Sequence, residues 1–319
     1  MRILVTGGAG FIGSHLADAL LDRGHEVVLS DDLSTGRPEN LPARADFVEG
    51  DFRDPAIVER LFSGRHFDAI CHQGAQTSVS VSTREPVRDA EVNVVGSIRL
   101  LEAATAHEVP LFIFASTGGA IYGEVPEGTQ ASIETQPAPL SPYACSKLAF
   151  EHYLRAYVQT HDIQTRVLRY ANVYGPRQDP HGEAGVVAIF CGRILSNAPI
   201  QVNAKSAKGD RGCVRDYVYI DDVVAANLAA VEGRMTAPLI NVGTGIGTDT
   251  QQLAEVLLAK GKSQGSTSEM DFGDVRDGDL QRSVLQPSRI PGLESFVDIE
   301  TGLARTYAWF EARAAALES

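Results

Sequence analysis

Two side chains near the middle of the sequence could carry out proton chemistry on an alcohol. Tyr143 and Lys147 stand four residues apart in the run Leu140-Ser141-Pro142-Tyr143-Ala144-Cys145-Ser146-Lys147. On a helix they share one face and reach a common ligand. A phenol is a poor base at its ordinary pKa near 10, and nearby positive charge favours the phenolate. Lowering that pKa by about 3 units takes about 4 kcal/mol of differential stabilisation, which the ammonium and one further cation can supply in a partly dry pocket. A hydroxyl holding the reacting oxygen would complete a base with an orienting partner. Ser116 and Thr117, at the end of the apolar run Leu111-Phe112-Ile113-Phe114-Ala115, are the two candidates, and the sequence leaves the choice open.

The elements that must position this pair begin at the N-terminus. Ile3-Leu4-Val5 reads as a buried strand, and Leu16, Ala17, Leu20 and Leu21 are spaced like the inner face of a helix. Between them lies a turn with Gly7, Gly10, Phe11, Ile12 and Gly13. Glycines there let the backbone approach a pyrophosphate, and the helix N-terminus attracts it, so the turn is a candidate dinucleotide site. The ring of a bound nicotinamide would be the second cation beside Tyr143. Glu26 to Ser30 reads as a second strand ending in Asp31-Asp32, an acidic end that accepts ribose hydroxyls and favours NAD over NADP.

A third strand leads to Asp51 and Phe52, placed to bond and cover an adenine. Ala69 to His72 is the fourth, followed by Gly74, Ala75 and Gln76, small or polar residues suited to close approach of the cofactor. His72, inside an apolar strand, reads as a core histidine. A helical pattern from about Val87 to Ala106 carries Asn93, assigned to the cofactor site. Ser141 suits an N-cap and Pro142 a first helical residue. Strands alternating with helices imply an α/β fold with a doubly wound parallel sheet, whose ligand lies beyond the carboxyl ends of the strands.

The chain has 319 residues and a net charge of −13, which argues against a nucleic-acid partner. Cys71, Cys145, Cys191 and Cys213 have neither paired nor metal-like spacing and read as free thiols in a reducing cytoplasm. Met1-Arg2 runs straight into the first strand, and no apolar run approaches membrane-spanning length. A cytoplasmic protein without a membrane partner is expected.

With the glycine turn, the Ser-Thr strand end and the Tyr-Lys pair in this order, the chain resembles, over nearly its whole length, the extended short-chain dehydrogenase/reductase family. Within that family it resembles the NAD-dependent nucleotide-sugar epimerases and dehydratases. The resemblance implies a Rossmann domain over 1–172, to which a segment near 217–242 returns, and a smaller nucleotide-sugar lobe over 173–319. It implies that Tyr143 is the base, that Lys147 lowers its pKa and binds the nicotinamide ribose, and that Thr117 or Ser116 holds the sugar oxygen. Ser116 and Tyr170 are then also near the nicotinamide. In the family's UDP-galactose 4-epimerases the hydroxyl sits one place further on, at the register of Gly118, so Thr117 is expected to reach over. Dehydratases carry an Asp-Glu pair after that threonine, and this chain has Gly118-Gly119. Dehydration is therefore not expected.

The same resemblance assigns a UDP-sugar to Asn172, Val187, Arg215, Arg276 and Asp279, with Glu183 to Ala188 covering the uracil. Two arginines suit a diphosphate because the planar fork donates twice and stays charged. The expected reaction is interconversion of UDP-glucose and UDP-galactose through a 4-keto sugar that turns over between two hydride transfers to and from tightly held NAD. Ser283, at a position that widens the family's pocket when small, makes UDP-N-acetylglucosamine the alternative substrate. A non-catalytic NAD-binding sensor is the alternative of another class, and Tyr143 with Lys147 argues against it. The loop from Asn203 to Cys213, longer than the family's turn, reads as solvated. Helices near 87–106 and 142–160 are candidates for a homodimer contact.

Overall fold

The computed structural model describes residues 1–180, 185–276 and 278–318. Strand β1 (Arg2–Thr6) turns into α1 (Phe11–Asp22), then β2 (Glu26–Asp31), β3 (Asp46–Glu49), α2 (Pro55–Phe62) and β4 (Ala69–His72) follow. Helices α3 (Val79–Arg84), α4 (Pro86–Ala90) and α5 (Ser97–Ala106) lead to β5 (Leu111–Thr117), the one-turn α6 (Gly118–Ile121), α7 (Pro142–Thr160) and β6 (Gln164–Tyr170). Then come β7 (Asn172–Tyr174), α8 (Val186–Leu195), β8 (Ile200–Asn203), β9 (Val214–Tyr219), α9 (Ile220–Val231), β10 (Leu239–Val242) and β11 (Gly247–Asp249). The chain closes with α10 (Thr250–Lys262), β12 (Met270–Gly273), β13 (Arg282–Ser283) and α11 (Ile299–Glu318).

Seven of these strands form one parallel sheet in the order β10-β6-β5-β4-β1-β2-β3. The strand order reverses between β1 and β4, which puts a crevice at their carboxyl ends. Alternation along β1 decides which face each residue serves. Ile3 and Val5 join Leu16, Leu20 and the α9 side, whereas Leu4 joins Ile70, Phe112, Leu100 and Phe150 on the other. Each such side chain contributes about 1.5–3 kcal/mol on full burial. Two smaller sheets remain: in one β9 pairs with β7, β11 and β13, and in the other β8 pairs with β12. Of the segment expected to return to the first domain, α9 packs on the main sheet beside α1 and β10 joins it as a strand, while Tyr217–Tyr219 belongs to β9.

The pattern from Val87 to Ala106 predicted one uninterrupted helix. Between α4 and α5 the chain instead makes wide π turns over Glu91–Gly96. A side chain at Gly96 would stand 2.8 Å from the Phe52 ring, so the run passes tightly over the end of β3. Hydrophobic periodicity does not separate these turns from an α-helix. Among the described residues, no helix is long and apolar enough to cross a membrane.

Two measurements test this account. At Gly13 an added Cβ would lie 2.1 Å from the Gly7 carbonyl oxygen. Gly13→Ala should therefore lower stability by about 1–3 kcal/mol in a denaturant titration, and an unchanged midpoint would contradict the close turn. On α9, Asp222 is buried and accepts from the Val297 N–H at 3.0 Å, and burial pushes its carboxyl up to about 6. A carboxyl raised on folding contributes stability below about pH 4 that is lost as pH rises through about 6. Relative to the parent, Asp222→Asn should thus gain melting temperature between about pH 5 and pH 8, and a constant difference would contradict it.

Candidate functional site

A cleft of about 1430 Å³ lies beyond the carboxyl ends of the central strands. Gly7, Gly10, Phe11, Ile12 and Gly13 line one end. Gly7 has φ +66°, and a side chain there would meet the Gly74 nitrogen at 2.7 Å, so the turn after β1 and the turn after β4 close on each other. No side chain caps the N-terminus of α1, and its first turn holds no acid. That end is open to an anion. Asp31 follows on the same wall, where its carboxylate accepts from the N–H groups of Ala9 at 3.0 Å and Leu33 at 2.9 Å. Burial pushes this carboxyl up, and the two bonds oppose the rise. Each oxygen keeps a further lone pair for a ribose hydroxyl. Asp32 also lines the wall and accepts from Ser34.

Phe52 covers the next stretch together with Gly74, Ala75 and Gln76. Asp51 lines the cleft too, but Arg53 already holds its carboxylate, at 2.7 Å through Nε and 2.6 Å through Nη2. The glycine cradle, the uncapped helix end and the acidic strand end fit a dinucleotide.

At the cleft's centre β5 meets α7. Ser141 caps α7, accepting from the Ala144 N–H at 3.2 Å, and Pro142 is its first residue. The Thr117 hydroxyl stands beside the phenol of Tyr143, where it favours the phenolate, and both residues line the cleft. Ser116 lines it as well, but its hydroxyl donates to Glu151 Oε1 at 2.5 Å. The expected reach from Thr117 is not needed. An added Cβ at Gly118 would stand 2.5 Å from Leu285 Cδ1, so that position faces the core, and Thr117 is the hydroxyl beside the phenol. Tyr170 lines the floor, its hydroxyl bonded to Asn227 Nδ2 at 2.8 Å.

Lys147 is buried behind Tyr143 rather than lining the cleft. Its Nζ donates to the Ala115 carbonyl at 3.0 Å and lies 4.7 Å from the centre of the Phe114 ring. The expected acidification of the phenol by this ammonium is not seen. Desolvation pushes Tyr143 up to about 12; the Thr117 hydroxyl opposes it, and the Asp89 carboxylate adds to it. Desolvation also lowers Lys147, to about 8, against the pull of Asp89 and Glu151. His72, buried between Thr6 at 2.7 Å and Ser97 at 2.9 Å, is held neutral at about 3 and belongs to the core.

Two further expected residues are not on the cleft wall. Asn93 is buried in the π turns, where its amide pairs with the backbone N–H and carbonyl of Gln76, both at 2.9 Å. It shapes the wall through Gln76. Ser283 is 1% exposed in β13 against Arg215, so it does not act as a gate from the cleft surface.

Beyond Tyr143 the cleft continues past Asn172, Val187, Arg215, Arg276 and Asp279. Asn172 is held by donating to the Asp216 carbonyl at 3.2 Å. Arg276 and Asp279 are exposed on a segment of irregular backbone. Glu183 and Ala184, expected over the uracil, lie outside the described residues. The 203–213 loop is shaped by Asp210, which accepts four backbone N–H groups, while Arg211 and Lys208 pair with Asp249 and Asp274 at the surface.

Sequence reasoning missed Asp89, Glu151 and Arg169, three buried or nearly buried charges around Lys147. A signal existed for two of them. Glu151 stands one four-residue step past Lys147 on the face that carries Tyr143, and Arg169 interrupts the apolar run of β6.

The comparisons agree with this geometry. Residues 3–243 match the model of the NAD dependent epimerase/dehydratase family. A UDP-glucose 4-epimerase of Mycolicibacterium smegmatis is 42% identical over 318 residues, covering 97% of this chain and 98% of its own. The structure of the Thermus thermophilus UDP-glucose 4-epimerase complex with NAD superposes with a TM-score of 0.90 at 47% identity, over 98% of this chain and 99% of that one. The Thermotoga maritima UDP-glucose 4-epimerase with UDP-glucose gives a TM-score of 0.90 at 43% identity, over 98% and 100%. A seven-stranded parallel sheet, a dinucleotide cradle at its switch point and this match across three quarters of the sequence make the chain a member of the NAD dependent epimerase/dehydratase family.

Proposed function

We propose that the enzyme interconverts UDP-glucose and UDP-galactose, with NAD retained in the cleft as catalyst. The observation that carries this reading is the Thr117 hydroxyl beside the Tyr143 phenol in one cleft, between the dinucleotide cradle and a lobe presenting two arginines. Gly7, Gly10, Phe11, Ile12 and Gly13 hold the pyrophosphate and Asp31 the adenosine ribose. When bound, NAD supplies reversible acceptance of two electrons and a proton's worth of hydrogen from C4 of the sugar, and its ring brings positive charge to the phenol. Tyr143 takes the proton of the 4-hydroxyl, and Thr117 holds the oxygens in line. Lys147, fixed through Ala115 behind the phenol, would serve as a donor for the nicotinamide ribose, and the charge that favours the phenolate would come from the ring.

Arg215 and Arg276 hold the diphosphate, with Asn172, Val187 and Asp279 on the uridine side. This anchoring lets the 4-keto sugar turn its other face to the ring without escaping. Elimination of water has no acid or base here, since Gly118 and Gly119 follow Thr117 and a side chain at Gly118 would strike Leu285. In this reading residues 1–172 with α9 and β10 carry the cofactor and the remainder the nucleotide sugar. Four free cysteines among the described residues suit a reducing cytoplasm. A homodimer through α4, α5 and α7 is supported by Val87, Val95, Tyr153 and Val158, apolar side chains exposed on neighbouring helices.

Purified protein should convert UDP-galactose to UDP-glucose with no added coenzyme and release NAD on denaturation. Absence of product from NAD-loaded protein would reject the assignment. Tyr143→Phe should lower kcat by about 10²–10⁴-fold. Thr117→Ala should lower it by about 100-fold or more, and by more than Ser116→Ala; the reverse order would overturn the choice of hydroxyl. In light scattering the parent should run at twice the chain mass and a Val95→Lys/Tyr153→Lys variant at the chain mass; a monomeric parent would contradict the dimer.

A further inference from the structure

The last three residues of β5 each meet a different residue of α7. The Ala115 carbonyl accepts from Lys147, Ser116 donates to Glu151, and Thr117 stands beside Tyr143. The three partners recur every four residues, so they form one stripe of the helix. The middle tie ends on an ion pair. Glu151 also accepts from Arg169, at 3.0 Å through Nε and 2.5 Å through Nη2, with the two side chains 9% and 4% exposed.

The remaining guanidinium nitrogen donates to the Tyr122 phenol at 2.8 Å, and Tyr122 donates to Asn241 Oδ1 at 2.8 Å. Asn241 in turn donates to the carbonyls of Ala131 at 2.9 Å and Gln286 at 3.2 Å. The network thus runs from the reacting end of β5, through the sheet, to the segments that border the substrate lobe. Packing alone does not call for it. A buried ion pair gives back in Coulomb energy about what desolvation takes, and apolar residues of similar volume often stabilise a fold as well or better.

Resting on the proposed function, we infer that Glu151, locked by Arg169, is a positioning residue for the epimerisation: through Ser116 it fixes the end of β5 against α7, so that Thr117, Tyr143 and Lys147 keep one mutual arrangement. Ser116 then serves as the tie rather than as a donor to the sugar, which explains why its hydroxyl is turned to a carboxylate while its neighbour faces the phenol. Glu151 also acts on the charge of Lys147. The titratable groups acting on that ammonium are Asp89 from α4, Glu151 from α7 and neutral His72 from β4, and Arg169 from β6 pairs with Glu151. The two carboxylates favour the ammonium, so losing Glu151 makes Lys147 release its proton at lower pH.

The test compares NAD-loaded parent, Ser116→Ala, Glu151→Gln and Glu151→Leu/Arg169→Met for melting temperature, for kcat and KM with UDP-galactose from pH 6 to 9.5, and for the dissociation constant of added NADH. Glu151→Gln leaves a buried guanidinium half-paired and should melt well below the parent, whereas the double variant should regain the parent's melting temperature. Despite that recovery its kcat should stay about 10- to 100-fold down with KM nearly unchanged, whereas the alkaline limb should move to lower pH in Glu151→Gln, which loses the carboxylate and keeps the guanidinium. Parental kcat in the refolded double variant would make the pair structural only and overturn the inference. If the double variant does not fold, Ser116→Ala decides, since it cuts the tie and spares the ion pair: about a tenfold loss in kcat at unchanged melting temperature supports the inference, and full activity overturns it. A parent without turnover would sink the proposed function instead. NADH affinity then reads the arrangement, with weaker binding in Ser116→Ala supporting the inference and parental binding overturning it.

Discussion

The site depends on an ammonium kept charged inside the protein. Lys147 is 3% exposed and touches no carboxylate directly; its nearest partners are a backbone carbonyl and an aromatic ring. A charge in such a place survives only if opposite charge stands within a few ångströms and the remaining donors are satisfied. Asp89 and Glu151 supply that charge from two helices, and each is anchored in turn, Asp89 by Gln76 and Asn93 and Glu151 by Ser116 and Arg169. The wide turns over Glu91–Gly96, the cap on α7 and the strand end of β5 all serve the same small volume.

This arrangement separates holding from reacting. Tyr143 alone of the Tyr-Lys pair faces the cleft, and the protein's own surroundings keep its phenol protonated. Under the proposed function the base would be assembled by the ligand, since positive charge arriving at the cleft would shift the phenol while Lys147 is already in place.

The doubly wound sheet determines where that can happen. The carboxyl ends of β1, β2, β4, β5 and β6 open on one crevice, and the reversal of strand order between β1 and β4 leaves the glycine turn there uncovered. The same crevice receives β7 and β9 of the smaller sheet, so the arginine of β9 and the phenol of α7 look into a common space although they are far apart in the chain.

Much of this was legible in the residues alone. Strand after apolar strand, the glycine turn, the acidic end of β2, the Ser-Pro start of α7 and the four-residue Tyr-Lys spacing are local patterns, and local patterns set secondary structure and parallel topology because they act on backbone and hydrophobic period. Direction and partnership of polar side chains are not local. Which of Ser116 and Thr117 meets the phenol, that Gly118 is closed by Leu285, that Asp51 is taken by Arg53, that Ser283 is buried and that Lys147 turns to Ala115 are settled by what packs opposite each residue. The π turns around Asn93 escaped for the same reason, since a widened turn within so short a run shifts the hydrophobic period too little to show, while it decides which side chain meets Gln76. Order along the chain determined the fold and the chemistry it could host; the assignment of each charge and hydroxyl to a partner waited on tertiary contact, because electrostatic and hydrogen-bond energies depend on distances that no one-dimensional spacing specifies.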